Sequence, residues 1–247
     1  MADPVLVVDA PQGGTSSPSG LLAVSATIEA DRPVVYGVEI APDPIGGHGL
    51  WGTPVCGPGD RVKEGGDVEA STLFPGTAVW AAHECSTVGQ DEAEATAASQ
   101  RRFRNVEGYD LEVFAAGVLA DRAVSSTAGL SEAEAMFRAE GVVPVLHVRP
   151  SDVPGLIRSK HLVVSSGTVR TLLGSPVAIG AGYQAEFPAG AAYLTGPVTI
   201  YRNPQESYVA VDTSTNRRLA VTERASSLTW ATQTVAVTIT QEGSDGG

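Results

Sequence analysis

Residues 91–123 of the sequence, DEAEATAASQRRFRNVEGYDLEVFAAGVLADRA, decide the fold. The acidic start suits the positive end of a helix dipole. At a rise of about 1.5 Å per residue, a helix over this stretch would be a rod of roughly 45–50 Å. The pattern therefore predicts one helix that is longer than a small globular domain needs. Its apolar side chains recur at approximately helical spacing, at Phe103, Val106, Leu111, Val113, Phe114 and Val118.

The carboxyl-terminal part of the chain is β-prone. Residues 208–212, the turn 213–216 and residues 217–230 predict a hairpin. Residues 234–240 (TVAVTIT) alternate and predict a further strand. Together with the long helix, these strands indicate the α+β class.

Shorter stretches complete the predicted elements. We expect a second helix over residues 131–138, with Ser131 as its N-cap and Glu134 in the capping-box position. In the strand predicted over 142–148, Pro144 would confine the start of the strand to a sheet edge. The remaining predicted elements are strands over 4–10, 21–24, 33–40, 142–148, 169–173, 176–179 and 193–202, and a helical turn over 152–159.

Residues 41–76 are the least regular part of the chain and are crowded with glycine and proline. A loop of this length without structure is uncommon inside a compact domain. Residues 11–20 (PQGGTSSPSG) have the composition of a flexible spacer. Arms and long excursions cannot satisfy their backbone polar groups alone. We therefore expect these segments to lie on neighbouring copies of the chain.

The overall composition excludes several classes of protein. The chain has 247 residues, of which 43% are hydrophobic, and this excludes a wholly disordered chain. A net charge of -12 argues against a dedicated nucleic-acid-binding module, because phosphate binding needs a basic surface. No apolar run approaches the roughly 20 residues that span a bilayer, and the start of the chain lacks the basic region of a signal peptide. We expect a soluble protein made in a cytoplasm, without a membrane partner.

A zinc site is the first candidate for chemistry. His48, Cys56, His83 and Cys85 supply two nitrogens and two sulfurs, but only the last two are close in sequence. Zinc needs convergent ligands, usually in tight pairs. The favoured interpretation is two thiols that are buried or joined in one disulfide, beside unrelated histidines. We therefore predict no metal-binding residue.

Motifs for catalysis and nucleotide binding are missing from the sequence. No G-x-S-x-G is present, and residues 13–16 lack the lysine of a P-loop. The glycines of residues 174–182 are poorly spaced for a dinucleotide fold. We interpret Asp91, Glu92 and Glu94 as a solvated helix start rather than an acid/base site. The sequence predicts no catalytic residue, no cofactor and no enzyme.

Arg101, Arg102 and Arg104 form a local basic patch on the long helix. A salt-bridged surface is the favoured interpretation, and contact with nucleic acid or an acidic neighbour is the alternative. Two other classes stay open for the whole chain. They are a small hydrolase that uses His83 or His147 with a nearby acid, and a carbohydrate- or host-binding β-module, against which the long helix argues.

Three pairs of stretches resemble, in their order and spacing, the major capsid proteins of tailed bacteriophages, in particular those of phages of actinobacteria. The resemblance covers most of residues 20–240. In the third pair Thr222 stands where the family has Ala. The pairs are FPGTAVW (74–80) with HECS (83–86) before the long helix, LHVRPS (146–151) with LLGSPVAIGAGY (172–183), and TGPVTIYR (195–202) with AVTER (220–224).

The resemblance implies the Hong Kong 97-type shell fold, which encapsulins also use. An encapsulin-like compartment with enzyme cargo instead of DNA therefore stays open as an alternative. It implies an N-terminal arm, an extended loop, a long spine helix, an axial domain and a peripheral domain. The implied boundaries are 1–40 for the arm and first strands, 41–76 for the extended loop, 77–128 for the peripheral domain with the spine helix at about 91–123, 129–195 for the axial domain, 196–241 for the return strands of the peripheral domain and 242–247 for a polar tail.

The resemblance also implies the function of a major capsid protein, which self-assembles into hexamers and pentamers of an icosahedral shell around packaged double-stranded DNA. Its partners would be many copies of itself, with scaffolding, portal and decoration proteins, and with DNA nearby but without sequence-specific contacts. It would be found in the virion capsid after assembly in the host cytoplasm. Some members of the fold crosslink a Lys to a neighbour's Asn. No motif supports such a role for Lys63 with Asn203 or Asn216, and we expect no crosslink.

Overall fold

The computed structural model describes residues 18–40 and 71–239 of the chain. Predictions on 1–17, 41–70 and 240–247 lie outside these residues, including those for the strand over 4–10, most of the extended loop, His48, Cys56, Lys63 and the polar tail. The described helices are α1 (Leu21–Val24), α2 (Glu92–Arg122), α3 (Leu130–Ala139), α4 (Val153–Arg158) and α5 (Tyr183–Glu186), with a 3-10 turn at Pro150–Asp152.

The strands confirm the α+β class, the carboxyl-terminal hairpin and the strand after it. No helix within the described residues is long and apolar enough to cross a bilayer. The strands are β1 (Ala26–Glu29), β2 (Val38–Ile40), β3 (Thr72–Phe74), β4 (Gly76–Ser86), β5 (Ala123–Ser125), β6 (Val145–Val148), β7 (Leu162–Ser165), β8 (Thr168–Thr171), β9 (Val177–Ile179), β10 (Ala191–Thr195), β11 (Thr199–Arg202), β12 (Glu206–Asp212), β13 (Arg217–Thr229) and β14 (Thr234–Thr238).

The predicted long helix is confirmed as α2. Asp91 caps it, because its side chain accepts a hydrogen bond from the Glu94 backbone N–H at 2.8 Å. The Glu94 carboxylate in return accepts one from the Asp91 N–H at 3.0 Å. This reciprocal pair satisfies two of the donors that a helix start leaves without partners. Asp91 and Glu94 therefore have a structural role at the start of α2.

The first five-stranded sheet is built around β13. β4 pairs along one side of β13, β12 and β11 pair along the other, and β1 lies parallel to β11. Side chains alternate between the two faces of a strand. On one face Val79 and Ala81 of β4 are buried against Phe103 and Leu111 of α2. The helix thus covers one face of this sheet, and the other face is exposed.

The second five-stranded sheet, in the order β5-β14-β10-β6-β9, is covered on both faces. Tyr193 packs on the side of α2 and α5, while Leu194 packs with Phe137 of α3 on the opposite side. All four residues of β6 are buried, which is why its sequence does not alternate between apolar and exposed polar residues. The prediction that Pro144 marks a sheet edge is wrong. β6 is an inner strand, and Pro144 is tolerated because it precedes the first paired residue, Val145.

Two local predictions are wrong. Residues 21–24 form a helical turn rather than a strand, and this turn places Leu21 in the core. The N-cap of α3 is Gly129 and not Ser131. Glu134 does not reach back to the helix start, because it is buried and accepts hydrogen bonds from the Thr171 and Ser175 hydroxyls. Both local patterns are overridden by contacts with distant residues.

β2 and β3 pair as a two-stranded antiparallel ribbon, in which Ile40 is opposite Thr72. The end of β2 and the start of β3 are the described parts of the chain that flank residues 41–70. Of the strand predicted over 33–40, only β2 is extended in this way. Gly37 has a φ of +101°, which favours glycine, and a Cβ there would lie 2.4 Å from the Phe74 carbonyl oxygen. A Cβ on Gly76 would lie 2.0 Å from the Val34 carbonyl oxygen. The two glycines therefore allow these chain segments to approach one another closely.

The implied domain boundaries stay a prediction. β5 and β14 lie outside residues 129–195, yet they pair within the second sheet. The chain contributes to this sheet from three separate stretches, the middle one running from β6 to β10.

Candidate assembly surfaces

The exposed face of the first sheet carries large apolar side chains. Trp80 is 60% exposed, Tyr208 51% and Leu219 39%. The strand register places them on one face, because Trp80 is opposite Glu223 and Tyr208 is opposite Val221. We refer to the following residues as the open sheet face: Trp80, Ala82, Glu84, Glu206, Tyr208, Ala210, Leu219, Val221 and Glu223.

The chemistry of the open sheet face suits a protein partner. Tyr and Trp are enriched at the energetic centres of interfaces, because they bury a large area at a small entropic cost. Trp80 contrasts with Trp230, which is buried and donates its indole N–H to Thr234 Oγ1 at 3.0 Å. Glu206 and Glu223 lie beside the aromatic side chains, and the Tyr208 hydroxyl lies 3.4 Å from Glu223 Oε2. The face is thus an apolar patch with an acidic border.

A second exposed apolar area lies between α3 and the segment that leads into β14. It is a groove of about 620 Å³ whose walls include Met136, Phe137, Val142 and Val235. Met136 is exposed at its rim. The groove has room for apolar side chains of another molecule.

A buried carboxylate joins three distant stretches of the chain. Glu112 of α2 is 6% exposed, and its two oxygens accept hydrogen bonds from the backbone N–H groups of Leu21 at 3.2 Å and Gly182 at 3.1 Å. Burial raises the pKa of Glu112, although the backbone hydrogen bonds lower it. A Cβ on Gly182 would lie 2.6 Å from the Tyr109 carbonyl oxygen, so glycine permits this approach. The amino-terminal turn, the long helix and residues 180–182 are therefore held at one point.

His147 forms the polar centre of the second sheet. Its Nδ1 lies 3.0 Å from the Tyr183 hydroxyl, and its Nε2 lies 3.0 Å from Thr195 Oγ1. Complete burial lowers the pKa of His147 to about 3, so the imidazole is neutral at physiological pH. Burial, and then the charge of Glu112, raise the pKa of the Tyr183 hydroxyl. Both partners of this histidine are hydroxyls rather than acids, which does not fit the hydrolase alternative.

Of the four zinc candidates, His83 and Cys85 lie within the described residues, and His48 and Cys56 lie outside them. His83 Nε2 lies 2.8 Å from Gln90 Oε1, and Cys85 carries a free thiol. Within residues 18–40 and 71–239, no group of three or more His, Cys, Asp or Glu side chains could hold a metal ion. His83 therefore has an amide partner, and neither the zinc nor the hydrolase hypothesis gains a site from it.

The crosslinking candidate Asn203 is engaged in local structure. Its Oδ1 accepts from the Val34 N–H at 3.0 Å, and its Nδ2 donates to the carbonyl oxygens of Ala30 at 3.1 Å and Arg32 at 2.8 Å. The side-chain amide thus holds the turn before β2. Asn216 has a φ of 53° in the hairpin turn, a conformation that asparagine tolerates well.

Ion pairs fasten α2 to the first sheet at Glu107. Its Oε1 lies 2.6 Å from Arg224 Nη1, and the Arg224 guanidinium lies 5.7 Å from the Phe103 ring centroid. None of the ion pairs among the described residues includes Arg101, Arg102 or Arg104, so the salt bridges predicted for the basic patch are not seen there. Burial raises the pKa of the neighbouring Asp110, and the charge of Arg102 lowers it. Arg102 and Arg104 are exposed on the helix.

The sequence did not reveal the roles of Glu112 and Trp80. Alternation along β4 indicates that Trp80 faces away from Val79 and Ala81, but not which face a helix covers. The donors to Glu112 come from residues 91 and 70 positions away. No local pattern carries that information.

Comparison with known proteins identifies the fold. No protein-family model and no curated protein matches this sequence. The chain is similar to the capsid of a native GTA particle, with 12% identity, a TM-score of 0.57 and coverage of 96% of this chain and 95% of that chain. It is also similar to the mature capsid of bacteriophage PhiM1, with 12% identity, a TM-score of 0.51 and coverage of 98% and 93%.

A third similar structure is the holo-SrpI encapsulin complex from Synechococcus elongatus PCC 7942. The identity is 10%, the TM-score is 0.59, and the match covers 99% of this chain and 95% of that chain. These likenesses extend over nearly the whole chain. The chain therefore has the Hong Kong 97-type shell fold that its sequence resembles.

Proposed function

We propose that this chain is a major capsid protein that assembles into hexamers and pentamers of an icosahedral shell around packaged double-stranded DNA. The observation that carries the proposal is the likeness in fold to phage capsids over nearly the full length of both chains. The proposed role is structural and needs no catalytic site. Proposed partners are further copies of the chain, scaffolding, portal and decoration proteins, and DNA by proximity, in a virion assembled in the host cytoplasm.

The open sheet face supports self-assembly on physical grounds. A stable protein interface buries about 1,600 Å² in total and has aromatic side chains near its centre. Trp80 and Tyr208 offer such a centre on a face that α2 leaves uncovered. The net charge of -12 supports a shell that does not hold the packaged DNA tightly. Strong retention of DNA by purified empty shells at physiological salt would contradict this part of the proposal.

We assign the two sheets to the two domains that the resemblance implies. The first sheet with α2 corresponds to the peripheral domain, and the second sheet with α3 and α4 to the axial domain. Because β5 and β14 pair within the second sheet, the assignment moves residues 123–125 and 234–238 to the axial domain.

An encapsulin-like compartment is the alternative function, because the likeness to the SrpI encapsulin complex is as extensive. The two functions differ in what the shell contains. Nucleic acid within shells purified from the natural source supports the capsid, and enzyme cargo supports the compartment.

Electron microscopy of the overexpressed chain tests the proposed function directly. We expect closed shells or rings of five or six subunits. A monomer that persists over a wide concentration range would contradict both the capsid and the compartment.

A further inference from the structure

Arg122 connects the end of the long helix to the ribbon of β2 and β3. It is the last residue of α2, and its Nη2 donates a hydrogen bond to the Leu73 carbonyl oxygen. Its guanidinium lies 4.1 Å from the centroid of the Phe74 ring. Phe74 is buried and packs edge-on against Trp230 at a centroid distance of 4.7 Å. One side chain thus contacts both the backbone and the aromatic anchor of β3.

The position and the residue type fit this contact. The carboxyl-terminal end of a helix has a partial negative charge, which favours a cation. A planar guanidinium can lie over an aromatic ring and donate a hydrogen bond at its edge at the same time. A lysine ammonium at this position would keep the charge but would lose the planar contact.

One side of the ribbon, beside Arg122, is not filled by packed side chains. A cleft of about 280 Å³ separates the ribbon from residues 231–234, and Ile40, Thr72 and Arg122 line it. Packing in this cleft therefore does not fix the ribbon's angle on that side. The Arg122 contact with Leu73 and Phe74 closes one wall of the cleft and opposes a tilt of the ribbon into it.

We propose that Arg122 is a positioning residue that sets the tilt of the β2–β3 ribbon. It thereby sets the direction in which the chain leaves Ile40 and returns at Thr72. The consequence for assembly rests on the proposed function, whereas the tilt itself is a property of the single subunit. Loss of Arg122 disturbs the assembled product more than it disturbs the fold of the subunit.

Three variants test the proposal in an assembly assay. We expect Arg122→Ala to raise the subunit concentration needed for assembly about tenfold, which corresponds to about 1.4 kcal/mol. Arg122→Lys should recover part of this loss, because it keeps the charge without the planar contact. Arg158→Ala, which removes an exposed arginine at the end of α4, is the matched control and should assemble like the wild type. Assembly of Arg122→Ala at the wild-type concentration overturns the proposal.

A second measurement tests the tilt without assembly. Spin labels at Leu73→Cys and Glu132→Cys, with Cys56 and Cys85 replaced by Ser, report the distance between the ribbon and α3. We expect the distance distribution of the unassembled subunit to shift or broaden with Arg122→Ala and to stay unchanged with Arg158→Ala. An unchanged distribution overturns the proposal even if the wild type forms no shell. A shifted distribution with no shell supports the tilt and rejects the proposed function.

Discussion

The two sheets of this protein bury their side chains in different ways. The second sheet is covered on both faces, so every residue of β6 is buried. The first sheet is covered by α2 on one face and carries Trp80 and Tyr208 exposed on the other. The apolar side chains of the second sheet stabilise the subunit itself. Those of the open sheet face gain burial only when a second molecule contacts them.

The largest expected effect is in the second sheet. Leu194→Ala should lower the free energy of unfolding by about 2–5 kcal/mol, because it leaves a cavity in a closely packed core. Leu219→Ala on the open sheet face is the matched control, and we expect a loss below about 1 kcal/mol there. Chemical denaturation of both variants, in the same assembly state as the wild type, checks the difference. Equal losses would contradict the distinction between the sheets.

The next effect concerns Glu112, where the amino-terminal turn, α2 and residues 180–182 meet. Glu112→Ala should lower the free energy of unfolding by about 2–3 kcal/mol, since it leaves the buried N–H groups of Leu21 and Gly182 without their acceptor. Glu92→Ala, at an exposed position of the first turn, serves as the control and should change it by less than about 0.5 kcal/mol. A loss no greater than that of the control would show that the hydrogen bonds of Glu112 contribute little to the free energy of unfolding.

Acid should weaken the second sheet through His147. The folded-state pKa of about 3 lies below the ordinary value of 6.5, so the unfolded chain binds the proton more readily between these values. The stabilisation is present above pH 6.5 and is lost as the pH falls toward 3, at up to about 1.4 kcal/mol per pH unit. Between pH 6 and pH 5 we expect the wild type to lose about 1 kcal/mol more than His147→Gln.

Glu112 changes stability with pH in the opposite sense. Its pKa is raised by burial, so the contribution of the protonated carboxyl is present below the ordinary pKa and is lost as the pH rises through the folded-state value. The His147→Gln comparison is therefore best repeated in the Glu112→Gln background. If the difference between pH 6 and pH 5 vanishes in both backgrounds, the buried imidazole is not its source.

The smallest effect on stability should come from the open sheet face. Trp80→Ser should change the free energy of unfolding by less than about 0.5 kcal/mol while it reduces the yield of shells, because the side chain is exposed in the single subunit. Thermal unfolding and electron microscopy of the same preparation measure both quantities. Normal shells from this variant would remove Trp80 from the proposed interface.

The features that could be predicted from the sequence are those that repeat locally. The acidic start and apolar spacing predicted α2 to within one residue at each end, because capping and helical periodicity act over short distances. The alternation in residues 234–240 predicted β14 for the same reason. The prediction of Ser131 as the N-cap of α3 was wrong. Glu134, its expected capping-box partner, is buried and accepts hydrogen bonds from Thr171 and Ser175, which lie about forty positions away.

The candidate surface was beyond local patterns for a related reason. Alternation shows that Trp80 and Val79 point in opposite directions, but the covered face is chosen by where α2 returns across the sheet. The two donors to Glu112 depend on the path of the whole chain. Such contacts depend on the topology, and the topology cannot be inferred from local patterns in a single sequence.

The second sheet is built from three separate stretches of the chain, and this limits which segments of the protein could be exchanged. A fragment that spans residues 129–195 would lack β5 and β14, and the edge of β10 that pairs with β14 would be open. An open strand edge invites aggregation. Recombination between related proteins would therefore need to replace all three stretches together, because no single continuous segment contains the whole sheet without residues of the first sheet.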